Sequence, residues 1–216
     1  IGRVDWLYRW KQKALAVLGL AMGYGLDANV LGAYRFLVEN WQEGDRIYIF
    51  GFSRGAWTAR VLAGFLHLVG LVRPSQLNMC DNALATYKRA AKEDKLPIAW
   101  HFAKVIGARF PTIHFIGVWD TVASVMVPRT RGWLPTLETL PYTRSNPSVR
   151  TFRHALAPDE RRRLFRVAPW MQPQPYIPNR FEPSVKHDQD IEQRWFPGVH
   201  SDIGGGYRED ESALSK

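Results

Sequence analysis

The sequence predicts an α/β fold in which a mostly parallel central sheet carries helices on both faces and long, lid-like loops at one end. Three observations predict it. A short apolar strand at residues 47–50 passes through a sharp turn into a long apolar helix; a second strand-length apolar run, 112–119, ends on Asp120; a third extended segment, 194–199, delivers His200. Near-continuous apolar runs of this length suit parallel strands, which are buried on both faces.

The first of these is the most specific. Ile47, Tyr48, Ile49 and Phe50 follow the turn pair Gly44-Asp45 and lead into Gly51-Phe52-Ser53-Arg54-Gly55, a G-x-S-x-G pattern. In a nucleophile elbow that pattern lifts a serine hydroxyl above the end of a sheet on a strained turn. Positive φ at the serine brings the residues two before and two after it together, which explains glycine at 51 and 55. The helix that follows holds Ala56, Trp57, Ala59, Val61, Leu62, Ala63, Phe65, Leu66, Leu68 and Val69, almost without a polar face, as a helix buried behind a sheet should.

Around this unit the elements read in order. Residues 6–22 have helical spacing of apolar groups. Asp27 is a candidate N-cap for a helix through Val30, Leu31, Tyr34, Leu37, Val38 and Trp41. Gly70 and Pro74 end the elbow helix, and residues 77–91 form another on the surface. After the strand at 112–119, composition turns to Pro, Thr, Arg and Trp over 128–147 and again over 169–190. Between them the spacing predicts a helical piece at 149–157, a helix start at Pro158-Asp159-Glu160 and a strand at 164–168. Irregular insertions leaving strand ends build lids and substrate walls. Trp133, Leu134, Leu137, Trp170, Met171 and Tyr176 would line an acyl pocket or pin these loops to the core, the second being the commoner use.

Bulk properties narrow the class. With 216 residues, 46% apolar and 23% charged, the chain suits one globular domain, 1–216, with insertions near 128–147 and 169–190. The longest uncharged apolar runs, 14–26 and 61–72, fall short of the roughly 20 residues of a membrane helix. Cys80 is the single cysteine, so no internal disulfide and no cysteine metal cluster forms. No cofactor is expected. The charge of +9, from 29 Lys and Arg against 20 acids, favours an anionic partner such as a phospholipid surface or nucleic acid, or serves solubility alone. Arg161-Arg162-Arg163 with Arg166 reads first as a solvated face. The chain opens without a methionine or a signal peptide and reads as a piece of a longer protein, cytoplasmic or exported without a cleaved leader.

The chemistry gathers on three residues. A serine hydroxyl is a weak nucleophile at neutral pH and needs a base in hydrogen-bond reach, oriented by a third group. Ser53, Asp120 and His200 stand at successive strand ends, where ligands bind in open α/β sheets. Their order, serine then acid then histidine, is the one α/β-hydrolases use. His200 would take and return the Ser53 proton, Asp120 would fix the imidazole, and the backbone N–H of Arg54 would give one oxyanion donor. Asp202, two residues from His200, competes as the acid but is better suited to shaping the Gly204-Gly205-Gly206 loop; Asp188 and Asp190 have loop context alone. His67, His101, His114, His154 and His187 lack comparable settings. A second reading keeps the fold without catalysis, as a module binding anionic membrane or nucleic acid through its arginines; no specific nucleic-acid site is expected.

Residues 44–56 (Gly-Asp-Arg-Ile-Tyr-Ile-Phe-Gly-Phe-Ser-Arg-Gly-Ala), 117–122 (Gly-Val-Trp-Asp-Thr-Val), His154-Ala155-Leu156-Ala157 with Asp159-Glu160-Arg161, and 195–202 (Trp-Phe-Pro-Gly-Val-His-Ser-Asp) through Gly206-Tyr207 together resemble the family of α/β-hydrolase domains that includes the type VI secretion phospholipase effectors of the Tle class. The resemblance covers most of the chain in the family's order. It implies Ser53, Asp120 and His200 as the triad and lipid ester hydrolysis as the activity of characterised members. The family's first strand and its Asp-Gly-Thr loop have no counterpart here, so the second oxyanion donor is expected upstream.

Overall fold

The computed structural model describes residues 25–92, 96–122, 126–127, 136–137, 140–160 and 167–205, with backbone alone at 92, 126–127 and 136–137. The expected helix at 6–22, the arginine run 161–166, and the side chains of Trp133, Leu134 and Leu137 lie outside the described residues. In order, the chain forms α1 (Leu26–Asn40), β1 (Ile47–Phe52), α2 (Arg54–Val69), a 3₁₀ turn (Pro74–Met79), α3 (Cys80–Lys92), α4 (Leu96–Val105), β2 (Ile113–Trp119), β3 (Met126–Val127), β4 (Thr136–Leu137), β5 (Val149–Leu156), β6 (Pro175–Tyr176), β7 (His187–Asp188), β8 (Asp190–Trp195) and α5 (His200–Gly204).

Among the described residues, four strands make the central sheet, in the order β1-β2-β5-β8, and every pair is parallel. Phe52 pairs with Trp119, Trp119 with Ala155 and Ala155 with Arg194, so all four strands finish at one level. The residues just beyond, 53, 120, 157 and 196–200, therefore crowd one edge.

The core lies on one face of this sheet. Helix α2 packs against β1 and β2 and buries residues around its whole circumference, including Trp57, Val61, Leu62, Phe65 and Leu66. Truncating a side chain as enclosed as Phe65 costs about 3–5 kcal/mol. Helices α1, α3 and α4 stack behind it: Tyr34 lies on Phe65 at 4.3 Å, and its hydroxyl donates to Gly70 O at 2.9 Å and accepts from Val72 N at 3.0 Å. On the opposite face, among the described residues, α5 packs against Phe52 at one corner, Phe50 and Trp119 are exposed along an aromatic groove of about 280 Å³, and Tyr48 is exposed as well. Gly117 leaves room for that groove, since a Cβ there would stand 2.8 Å from the Phe115 ring and 2.9 Å from Phe50.

Several local expectations are corrected. Residues 149–157 are not helical: Val149–Leu156 is β5, held between β2 and β8, and from Phe152 to Leu156 its burial alternates with the period of a strand. The last strand is Asp190–Trp195 rather than 194–199; Pro197 and the positive φ of Gly198 (120°) turn the chain, and His200 opens α5. Gly25, not Asp27, caps α1, and Asp27 instead pairs with Lys88 at 2.9 Å. Helix α4 was not anticipated, although Pro97 in its first turn is a start signal. Of the expected strand at 164–168, Val167 alone forms a described bridge, to Val122. Trp170 is buried and stacked on Phe152 at 4.2 Å, pinning its loop to the core. The stretch beyond it runs to the far end of the sheet, where Ile177 N donates to Pro147 O and Arg180 packs on Trp100 and Phe110.

Candidate active site

Ser53 sits between β1 and α2 with φ 58° and ψ −120°, outside the regions favoured by residues with a side chain. Such strain costs of order 1–3 kcal/mol and persists where surrounding bonds fix it. Here Ser53 N donates to Trp119 O at 3.0 Å, while Ser53 O receives Trp57 N at 3.3 Å and Val122 N at 3.4 Å. Gly51 is sterically required: a Cβ would lie 2.4 Å from Gly55 O. Gly55 is not, because a Cβ there meets nothing within 4 Å. The expectation that both glycines are forced by close approach holds at 51 alone.

Asp120 ends β2 with φ 35° and is 0% exposed. Its N–H donates to Ala155 O at 2.7 Å, its Oδ1 accepts from Ala157 N at 3.1 Å, and its Oδ2 lies 2.6 Å from Nδ1 of His200. His200, 6% exposed, places Nε2 2.7 Å from Ser53 Oγ. An ionised carboxylate can only accept, so Nδ1 carries the imidazole proton and Nε2 is left as an acceptor for the hydroxyl. The Phe52 ring stacks on the imidazole at 4.7 Å. Gly204 makes that stacking possible, for a Cβ would overlap the Phe52 ring.

The structure therefore brings Ser53, Asp120 and His200 into one hydrogen-bonded chain, and it keeps the rival acids out of it. Asp202 Oδ2 accepts from Val199 N at 2.8 Å and closes the start of α5. Asp190 pairs with Arg153 at 2.8 Å on the surface, and Asp188 is exposed in β7. Arg54, whose N–H was expected to face an oxyanion, opens α2, where first-turn amides lack helical partners and the helix dipole is positive.

Beneath the chain lies a polar cluster that reading the sequence passed over. His154 is buried, with Nε2 accepting from Thr121 N at 3.2 Å and Nδ1 at 3.4 Å from Gln193 Oε1. Arg60 on α2 is wholly enclosed; it donates to Ala168 O at 2.6 Å, approaches His154 Nδ1 at 3.3 Å, and lies over the rings of Phe152 and Trp170. Burial pulls the Arg60 guanidinium down to about 9. Burial first, and then the Arg60 charge, pulls His154 down to about 3, so its imidazole is neutral at ordinary pH. An arginine in an otherwise apolar helix was the signal available. Among the described residues, no group of three or more His, Cys, Asp or Glu is placed to hold a metal ion.

The whole chain, residues 1–216, matches the family described as the T6SS phospholipase effector Tle1-like catalytic domain. The chain belongs to that family. It is 34% identical over 174 residues to the uncharacterized protein YEL023C of Saccharomyces cerevisiae, a match covering 76% of this chain and 24% of that protein. Solved structures similar to it include the Tle1 effector bound to the VgrG spike of the type 6 secretion system, at 20% identity and a TM-score of 0.36, covering 87% of this chain and 31% of that one. An uncharacterized Pseudomonas aeruginosa protein matches at 18% identity and a TM-score of 0.35, over 80% of this chain and 21% of that one. This Tle1-like chain thus spans a third or less of the length of these relatives. No described helix is long and apolar enough to cross a membrane.

Proposed function

We propose that this Tle1-like chain is one serine hydrolase domain of α/β-hydrolase type that cleaves carboxylic esters of lipids, phospholipids foremost. The observation that carries this reading is the chain from Ser53 Oγ to His200 Nε2 (2.7 Å) and from His200 Nδ1 to Asp120 Oδ2 (2.6 Å). As Ser53 Oγ attacks the ester carbonyl carbon, Nε2 takes the hydroxyl proton, and the carbonyl π electrons move to oxygen. Asp120 stabilises the imidazolium that forms. The N–H of Arg54 donates to the oxyanion, and loss of one such donor costs on the order of 100- to 1000-fold. Collapse breaks the bond to the alcohol, which leaves with the proton from Nε2. Water, deprotonated by the same nitrogen, then releases the acid from the acyl-enzyme.

The lipid part rests on family membership and is supported by the exposed aromatics Phe52, Trp119 and Phe196 around the strand ends and by the positive net charge. Hydrolysis of p-nitrophenyl esters and of phospholipid vesicles by the protein, beside Ser53→Ala, tests the reading. The expected result is turnover and fluorophosphonate labelling in the parent and neither in the variant. Equal turnover in both removes the assignment; turnover of the soluble ester with none on phospholipid removes its lipid half.

A further inference from the structure

The short segment running from the end of β5 through residue 159 touches both halves of the hydrogen-bonded chain. On the acid side, Ala155 O receives Asp120 N, Ala157 N donates to Asp120 Oδ1, and His154 Nε2 receives Thr121 N. On the base side, Leu156 O receives Phe196 N. Asp159 adds a two-bond latch, its Oδ2 accepting from Gly198 N at 2.8 Å and its N–H donating to Gly198 O at 3.4 Å. Gly198 has φ 120° and lies two residues before His200. Asp120 and His200 come from different elements 80 positions apart, yet their atoms must meet within 2.6 Å.

We propose that His154 and Asp159 are positioning residues of the hydrolytic site, the first holding the strained Asp120–Thr121 peptide and the second holding the turn that presents His200. The inference rests on the reading of the site given above. His154 suits the task because its polarity is fixed. A backbone N–H only donates, so Nε2 must keep its lone pair; the single ring proton then stands on Nδ1, toward Gln193 Oε1 at 3.4 Å, and the Arg60 guanidinium 3.3 Å from that nitrogen is a charge contact rather than a hydrogen bond to it. A second proton is opposed by burial and by Arg60, so this imidazole acts as a permanent acceptor. Without it, Thr121 N–H would be left unpaired beside a residue whose φ of 35° needs outside support. Asp159 does the matching work from the surface, where its loss cannot open the core.

The experiment compares Asp159→Ala, Asp159→Asn, His154→Leu and His154→Gln with the parent and with Ser53→Ala, on a soluble p-nitrophenyl ester. It reads kcat and KM separately, the rate of fluorophosphonate labelling, the melting temperature, and the titration of His200 by NMR. Asp159→Ala is expected to lower kcat and labelling about 10- to 100-fold, the scale of a displacement of about 1 Å at a reacting group. KM and melting temperature should hold within about twofold and a few degrees, and the His200 titration should move. Asp159→Asn, which keeps an accepting oxygen, should recover most of the rate. His154→Leu should lose as much or more, and His154→Gln should regain part of it. Parental kcat and labelling in Asp159→Ala overturn the proposal, as does a loss confined to KM or one that asparagine fails to restore. If His154→Leu does not fold, the exposed Asp159 pair decides alone. A Ser53→Ala protein as active as the parent would instead strike the reading of the site itself, and the inference with it; a dead Ser53→Ala beside fully active Asp159 and His154 variants would strike the inference alone.

Discussion

Two serine–histidine pairs stand at opposite ends of the sheet, and they differ in what lies around the ring. At the carboxyl ends of the strands, Ser53 Oγ is 2.7 Å from His200, whose other nitrogen meets the Asp120 carboxylate. At the amino end, just before β5, Ser148 Oγ is 2.6 Å from Nδ1 of His67, and Arg180 donates to His67 O at 2.5 Å. Burial, then the Arg180 charge, draws His67 down to about 3. The backbones differ too, for Ser53 has positive φ and Ser148 does not. On the proposed reading, a hydroxyl against an imidazole is no catalytic unit by itself. The ring must also be able to become a cation, which a carboxylate favours and an arginine opposes.

The comparison breaks most visibly at the serines. Ser53→Ala should lower ester turnover about 10⁴- to 10⁶-fold, the scale seen when a serine nucleophile is removed, whereas Ser148→Ala should leave kcat within about twofold. Comparable losses in the two would erase the distinction. Next in size is Asp120→Asn. The amide would donate toward Nδ1 and hold the ring in the wrong tautomer, for a loss of about 10⁴-fold in kcat with little change in fold. Full activity in that variant would show that the ring needs no carboxylate.

Acid sensitivity follows from the neutral rings. His67 and His154 both drop from 6.5 to about 3 on folding. Between those values the unfolded chain binds protons that the folded chain refuses, so stability is complete above about pH 6.5 and is lost as pH falls toward 3. Each ring contributes about 1.4 kcal/mol per pH unit within that window. Urea midpoints measured at pH 7 and pH 5 should show the decline, and His67→Gln should roughly halve its slope. A flat profile would mean that neither ring is held neutral. The elbow gives a smaller effect. Gly51→Ala drives a Cβ against Gly55 O and should cost about 1–3 kcal/mol by thermal melting, while Gly55→Ala, with open space, should cost less than 1.

How much of this was legible in sequence depended on how local each signal was. The strand, elbow and helix of residues 47–69 declare themselves because strain, glycine and burial all act within a few positions. Asp120 was legible as the end of an apolar strand. β5 was not, since Val149, Phe152 and Leu156 also fit helical spacing and only pairing with β2 and β8 decides between the periods. β8 is polar and, among the described residues, an edge strand, Asp190-Ile191-Glu192-Gln193-Arg194-Trp195, so the neighbouring apolar run 195–199 reads as the strand instead. Arg60 and His154 carry no local sign of their partnership, for it exists only once α2, β2 and β5 are assembled.

The smallest expected effect tests the far pair on its own terms. If Ser148 and His67 form a clasp between the last turn of α2 and the start of β5, Ser148→Ala removes one hydrogen bond and leaves a half-buried ring nitrogen short of a partner. That should cost about 1–3 kcal/mol of stability, toward the lower end because His67 is not fully enclosed and water can reach it, with ester turnover and labelling of Ser53 unchanged. Denaturant melts of the parent and Ser148→Ala at pH 7 measure it directly. A variant as stable as the parent would mean that the 2.6 Å contact holds nothing together. A stable variant with impaired turnover would be more damaging, because it would tie the amino end of the sheet to the chemistry at the other end.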